Sequence, residues 1–390
     1  MPKTTEAGVR TAPPGTLMTL NGLRGLAAAC VMVFHRPAWF YPHFLLTDAY
    51  LAVDFFFLLS GFVLARAYLR RLGDGLGFAQ FLSRRLQRLY PLTFLGAFLG
   101  LLLFFHDHHG RLPPLISIDV IATMLTLPTP WEPVSWYLDM PMWSLFYELV
   151  INIVFGLLLA YIGRKWIWGV LAISVIAFIA IYPQEYVEFQ PASVEFLGHI
   201  VRVSSLFFLG VALEIASAKG FANRFRLGLI PGGLLLVATF MINDSAPGSS
   251  LLRLAAVVGL YPLIILGAAH HEPKGWMRRF ASFSGDVSYP LYLLHVPFLA
   301  MLAGAALLTH HSKQPSSLVE ALARFAIVIL MSWLAFKAYD EPVRRVVGKW
   351  LDGGKRREVA APCEPAKLVV GVTSGLPAGR AAPGGPAGLA

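Results

Sequence analysis

Apolar residues fall in ten stretches, approximately 17–37, 49–69, 89–105, 141–163, 166–182, 197–216, 227–242, 251–269, 287–308 and 318–339, separated by short polar segments. Each is close to the ~20 residues an α-helix needs to cross the hydrocarbon core of a bilayer. The pattern predicts an all-α polytopic membrane protein, a bundle of about 10 transmembrane helices. A further stretch, 115–127, is shorter and contains Asp119, so it is assigned to the interface or to a re-entrant segment. Residues 1–16 are polar and Pro-containing and are read as a disordered cytoplasmic N-terminus. No cleavable signal peptide is expected, because the first apolar stretch carries Arg24. The membrane domain is placed at 17–345, and 346–390 is read as a basic, then Gly/Pro/Ala-rich, disordered cytoplasmic tail whose composition cannot bury a core. There is no internal repeat of the kind on which many transporters are built.

Composition turns this pattern into an exclusion. The 390 residues are 56% hydrophobic and 14% charged, against about 45–50% and about 25% in soluble domains, so a water-facing surface is out of reach and the bilayer is the expected partner. The net charge of +10 invites a nucleic-acid reading, but the basic residues alternate between loops. With both termini in the cytoplasm, 25 of the 32 Lys and Arg residues lie on that side, as the positive-inside rule requires. The outer loops carry acids instead, with Asp107, Asp119, Glu132 and Asp139 in one and Glu185, Glu188 and Glu195 in the next. No nucleic-acid partner is expected. Only Cys30 and Cys363 are present, which excludes a disulfide scaffold or a cysteine metal cluster.

Ionisable side chains within spanning helices face the bundle interior or a wet cavity and are functional candidates by default. Here they are Arg24, His35, Asp54, Glu148, Arg202 and Arg324. Arg24 and His35 share one face of the first helix, about three turns and ~16 Å apart, with Arg24 toward the cytoplasm and His35 in the outer half. Asp54 and Glu148 reach about the depth of His35. A carboxylate there would orient the imidazole and stabilise its imidazolium, making a general base; equally, either acid pairs with Arg202 or Arg324 as a structural ion pair.

Arg85 and Arg88 are neighbours on one helical face, just ahead of Tyr90-Pro91, where the third span is expected to begin. A first-turn proline and a helix N-terminus both favour an anion. The pair reads as a phosphate clamp or as a positive collar on lipid headgroups. Tyr289, Tyr292 and His295 form an i, i+3, i+6 series with a lining or structural role. The run His106-Asp107-His108-His109 is weak evidence for a metal, and no metal site is expected. Walker loops, Gly-x-Ser-x-Gly elbows and zinc helices are absent from the sequence.

These residues resemble the acyltransferase-3 family of integral membrane O-acyltransferases. LNGLRGLAAACVMVFH is similar to that family's Arg-x10-His motif at Arg24 and His35, and Phe56, Phe57, Leu59, Ser60, Gly61 and Phe62 to its FFxLSGF signature. Arg85 and Arg88 match its Arg-x-x-Arg element, and Trp143, Ser144, Leu145 and Glu148 its Trp-Ser-Leu-x-x-Glu. LFFLGVAL, SYPLYLLH and Asp340-Glu341-Pro342 agree with later elements, so the likeness runs from about Thr19 to Arg344.

The resemblance implies an acyl-CoA co-substrate, usually acetyl-CoA, no permanently bound cofactor, and a hydroxylated acceptor, often a sugar of a surface polysaccharide or glycolipid. It also implies a multi-pass protein of the bacterial inner membrane. Some members carry a second, extracytoplasmic domain; the tail here is too short to be one, so the bundle is expected to act alone or with a separate extracytoplasmic transferase. On this reading Arg85, Arg88 and Arg24 hold the donor, and His35 is the base, or the nucleophile of an acyl-histidine variant. Asp54 or Glu148 orients it, and Ser60, Trp143, Ser144, Tyr289, Tyr292 and His295 line the site. The competing class is a transporter or flippase in which Arg24, His35, Asp54 and Glu148 form a proton or substrate path; a third is a catalytically silent scaffold.

Overall fold

The computed structural model describes residues 17–35, 46–73, 75–111, 116–128, 138–163, 165–185, 192–242, 248–308 and 317–351. It divides into Met1–Gly348 and Lys349–Ala390, and the first unit concerns us here. The terminal segments 1–16 and 352–390 lie outside the described residues. The described residues are helical and contain no strand. In chain order the helices are α1 (Met18–Phe34), α2 (Leu51–Gly73), α3 (Phe78–Asp107), α4 (Ile116–Met124), α5 (Met142–Leu157), α6 (Trp166–Glu185) and α7 (Ala192–Ala218). They continue as α8 (Leu229–Thr239), α9 (Ser249–Ala255), α10 (Tyr261–Ala269), α11 (Gly275–Leu308), α12 (Leu318–Leu334) and α13 (Glu341–Leu351). Wide π-helical turns continue α5 and join α9 to α10 and α12 to α13. Among the described residues seven helical segments are long and apolar enough to cross a membrane, and three apolar helices, Met18–Phe34, Trp166–Ala180 and Leu229–Thr239, are shorter. Large apolar side chains such as Ile173, Ile176, Leu234 and Val319 point outward, as an apolar solvent requires. The protein is an integral membrane protein.

Two helices run well past the apolar stretches that announced them. α3 begins at Phe78 rather than near Leu89, and α11 at Gly275 rather than near Val287. With 34 residues, α11 is ~50 Å long, far more than the ~30 Å hydrocarbon core. Hydropathy marks where lipid ends, whereas Arg, Gln, Leu and Ala continue a helix beyond it. The expected helix N-terminus at Tyr90-Pro91 is therefore absent: Pro91 lies inside α3, where its ring removes the N–H that Gln87's carbonyl would accept. Two residues before the proline, the Leu89 carbonyl accepts from the Tyr289 hydroxyl at 2.9 Å, which ties α11 to this weakened stretch.

The bundle centres on two helix pairs, α1 with α11 and α2 with α7. Both depend on residues without bulk. A Cβ at Gly25 would sit 1.9 Å from Ser284 Oγ on α11, and one at Gly61 1.9 Å from the Phe207 carbonyl oxygen on α7. The approach of α2 and α7 is reciprocal, since a Cβ at Gly210 would lie 2.0 Å from the Leu58 carbonyl oxygen. Thus the glycines of the FFxLSGF and LFFLGVAL segments face each other's backbone.

Several charged residues at membrane depth are paired. Arg202 Nε and Nη2 donate to the two oxygens of Asp54 at 2.6 and 2.8 Å, and Arg253 donates to Asp48 at 2.8 Å with both side chains 1% exposed. Arg324 pairs with Glu320 one turn away on α12. Arg253 and Asp48 escaped the sequence reading because each lies at the edge of an apolar stretch.

Candidate active site

α1, α2, α3, α5 and α11 contribute to the wall of a cavity of about 120 Å³. Eight of the twelve candidate residues line it: Arg24, Ser60, Arg85, Arg88, Ser144, Glu148, Tyr289 and Tyr292. Its walls are otherwise apolar, with Phe56, Phe57 and Leu145 among them. Glu148 is the carboxylate of this chamber. It accepts from Arg85 Nη2 at 2.8 Å and from Ser60 Oγ at 3.3 Å, so three sequence motifs converge on one side chain. Arg85 is 6% exposed, its charge balanced by Glu148; Arg88, one turn on, makes no hydrogen bond or ion pair with another described residue. Arg24 is steered by α11, with Nε donating to Ser288 Oγ and Nη2 to the Gly285 carbonyl, each at 2.8 Å. Ser288 belongs to the SYPLYLLH segment but was not singled out from the sequence.

The far end of the chamber is closed by a hydroxyl pair. Ser144 Oγ donates to the Pro141 carbonyl at 3.0 Å. Its single hydrogen being used there, Ser144 accepts from the Tyr292 hydroxyl at 2.7 Å. Beyond this pair the rings of Tyr292 and His295 are 6.3 Å apart and those of His295 and His35 4.8 Å apart. His35 therefore stands two ring contacts past the cavity and does not line it.

Hydrogen bonding fixes both imidazoles. His35 Nδ1 lies 2.9 Å from the Val31 carbonyl oxygen, and His295 Nδ1 lies 2.7 Å from that of Tyr292 and 3.2 Å from that of Leu291. A carbonyl only accepts, so each Nδ1 carries a proton, and in the neutral form of either ring the lone pair is on Nε2. His295 Nε2 is buried without a hydrogen-bond partner among the described residues. Two other expectations have a different outcome. Asp54 is engaged by Arg202 and Glu148 by Arg85 and Ser60, and the ring packed against His35 is His295. Trp143 packs edge-on against His199 at 4.9 Å and lies outside the cavity wall.

Comparison with known proteins decides the class. The profile described as an acyltransferase domain, that of the acyltransferase-3 family, matches residues 19–337. The chain belongs to the acyltransferase-3 family. "Acyltransferase MdmB" of Streptomyces mycarofaciens is 26% identical over 90% of this chain and 96% of its own length. "Protein 2 in picA locus" of Rhizobium radiobacter is 36% identical over 42% of this chain and 93% of its own. A Staphylococcus aureus (strain COL) protein named "Putative O-acetyltransferase SACOL0978" is 25% identical over 84% of this chain, which covers 57% of that relative. No solved structure matches. The protein is thus a membrane acyltransferase, and Ser60, Arg85, Arg88, Ser144 and Glu148 of its family-like segments line the chamber.

Asp139, three residues ahead of α5, was read from the sequence only as an outer-loop acid. It is 1% exposed, and neither carboxyl oxygen has a hydrogen-bond partner among the described residues. It wedges against α3 where Gly96 makes room, a Cβ there coming within 2.6 Å of Asp139 Oδ2.

The Asp54–Arg202 pair can be separated from the chemistry. Arg202→Met leaves a buried carboxylate unpaired and is expected to cost about 3–5 kcal/mol, whereas Asp54→Leu combined with Arg202→Met should recover most of that. Thermal midpoints in detergent measure the stability, and acyl transfer by the double variant measures the role. Restored folding without transfer would give Asp54 a chemical function beyond the pair.

Proposed function

We propose that the protein moves an acyl group, acetyl in the simplest case, from cytoplasmic acyl-CoA to a hydroxyl of a carbohydrate, glycolipid or similar acceptor on the outer side of a bacterial inner membrane, with His35 as general base. The observation that carries this reading is the continuity of two cavities. The inner chamber shares Arg24, Arg88 and Tyr289 with a wider one of about 390 Å³ at the basic end of the bundle. Together they lead from exposed arginines toward the His35–His295 pair, the course a phosphorylated donor with a thin thioester arm would need.

In this mechanism the basic end faces the cytoplasm, and the thioester enters the chamber past Arg24 and Arg88. The Tyr292–Ser144 hydrogen bond opens to admit the acyl end to His35. His35 Nε2 removes the proton of the acceptor hydroxyl as its oxygen attacks the thioester carbon. Collapse of the tetrahedral intermediate expels the CoA thiolate, which takes the proton back from the imidazolium. The His35 Nδ1–H bond to the Val31 carbonyl holds the ring in the tautomer this step requires. Acyl transfer without metal or permanent cofactor follows from these groups as a proposal for the chemistry.

Membranes carrying the chain and membranes lacking it, supplied with acetyl-labelled CoA and cell-envelope material, provide the test. Chain-dependent label in an alkali-labile ester is the expected result, and the labelled product names the acceptor class. Movement of an acceptor across the membrane with no consumption of CoA would replace this reading by the transporter one.

A further inference from the structure

The wider cavity lies where α3 and α11 overrun their apolar stretches, and α13 forms its third wall. Its lining includes Arg88 of α3, Asp286 of α11, and Glu341, Arg344 and Arg345 of α13, with Phe336 from the preceding π-helical turn. With Arg24 there are four guanidinium groups against two carboxylates. Glu341 is shared between Lys337 at 3.1 Å and Arg345 at 3.0 Å, which leaves it little capacity to neutralise the wall. Among the described residues Arg88 has no ion pair, and Arg344, bound to Asp340 through Nη2, keeps its buried Nε without a partner. The wall is also fixed in place, because Gln87 Nε2 donates to the Arg344 carbonyl at 2.6 Å and so fastens α13 beside Arg88.

Size separates the two chambers' roles. At about 390 Å³ the outer cavity falls within the usual range of ligand pockets; the inner one, about 120 Å³, admits only a narrow chain. A nucleotide bearing a pyrophosphate and a ribose phosphate fits the first in bulk and charge, and an arginine fork suits each phosphate. The Phe336 ring, with the Arg344 guanidinium 5.6 Å from its centre, adds an aromatic surface beside these groups. Arg85 is held by Glu148 in the wall of the inner chamber and does not line the outer cavity.

We propose that this outer cavity is the site of the phosphorylated nucleotide end of the donor, with Arg88, Arg344 and Arg345 as phosphate ligands and Arg85 excluded from the clamp. The inference rests on the acyl-CoA reading above. Its chemistry is recognition of clustered phosphates, which an anionic lipid headgroup also offers, and the experiment distinguishes the two.

Binding of CoA, dephospho-CoA and phosphopantetheine is measured on the full chain in phosphatidylcholine nanodiscs, with and without phosphatidylglycerol. Arg345→Gln is the safer variant, since Arg345 is 64% exposed in its side chain; Arg344→Gln also removes the partner of the buried Asp340. Each is expected to weaken CoA about tenfold with little change for phosphopantetheine, while Arg84→Gln, outside the cavity, changes nothing. Unaltered CoA affinity in both arginine variants overturns the placement and leaves the donor reading standing. Loss of phosphatidylglycerol binding with CoA unaffected overturns it in favour of a headgroup site. A wild-type chain that binds no CoA overturns the donor reading, and the placement falls with it.

Discussion

Replacing His35 with alanine is expected to lower acyl transfer by about 10²–10⁴-fold, the usual contribution of a positioned general base, with CoA binding left in place. The split follows from the architecture. The cavities that would hold the donor are lined by Arg24, Arg88 and Glu148, whereas His35 lies beyond the Tyr292–Ser144 pair and touches neither. Single-turnover transfer and equilibrium CoA binding, measured on the same preparation, separate the two effects. His35→Gln keeps polarity but cannot take a proton, so it should behave as the alanine variant does. Transfer at the wild-type rate in either variant would remove His35 from the chemistry and shift attention to His295, whose Nε2 is buried with no hydrogen-bond partner among the described residues. A fall in both transfer and CoA binding would instead mean that His35 shapes the donor site.

Much of this arrangement was legible in the sequence because membrane burial makes polar residues conspicuous. Arg24 and Glu148 stood out against apolar neighbours, Arg85 through its spacing from Arg88, and Ser60 and Ser144 through the motifs of the family resemblance, and the chamber brings them together. Pair assignments were beyond reach for a physical reason. Depth along the membrane normal can be counted from a helix end, but which helices are neighbours depends on interlocking surfaces such as Gly61 against Phe207. Depth alone left Asp54 equally suited to His35 or to Arg202; contact between α2 and α7 brings it to Arg202. The same limit hid His295 as the neighbour of His35, since α1 and α11 are far apart in the chain. Hydropathy also truncated α3 and α11, and so concealed the outer cavity, built from the helical turns it assigned to loops.

Gly61→Ala and Gly210→Ala are each expected to abolish the folded protein or lower its yield severely, although alanine is ordinarily the better helix former by about 0.5–1 kcal/mol. At both positions a Cβ would fall about 2 Å from a carbonyl oxygen of the opposite helix, closer than any flexible side chain could relieve. α2 and α7 would have to move apart by more than an ångström, and that movement would also stretch the Asp54–Arg202 pair across the same interface. A strained glycine contact and a buried ion pair would then fail together, which makes the effect larger than overpacking alone. Gly198 is the internal control. It lies on α7 as well, but a Cβ there meets no described atom within 4 Å, so Gly198→Ala should leave the thermal midpoint unchanged or raise it. Monodisperse elution in detergent at the wild-type midpoint by the Gly61 and Gly210 variants would mean that the two helices do not approach as closely as described. The Ser60–Glu148 contact, carried by the residue next to Gly61, would then lose its structural support.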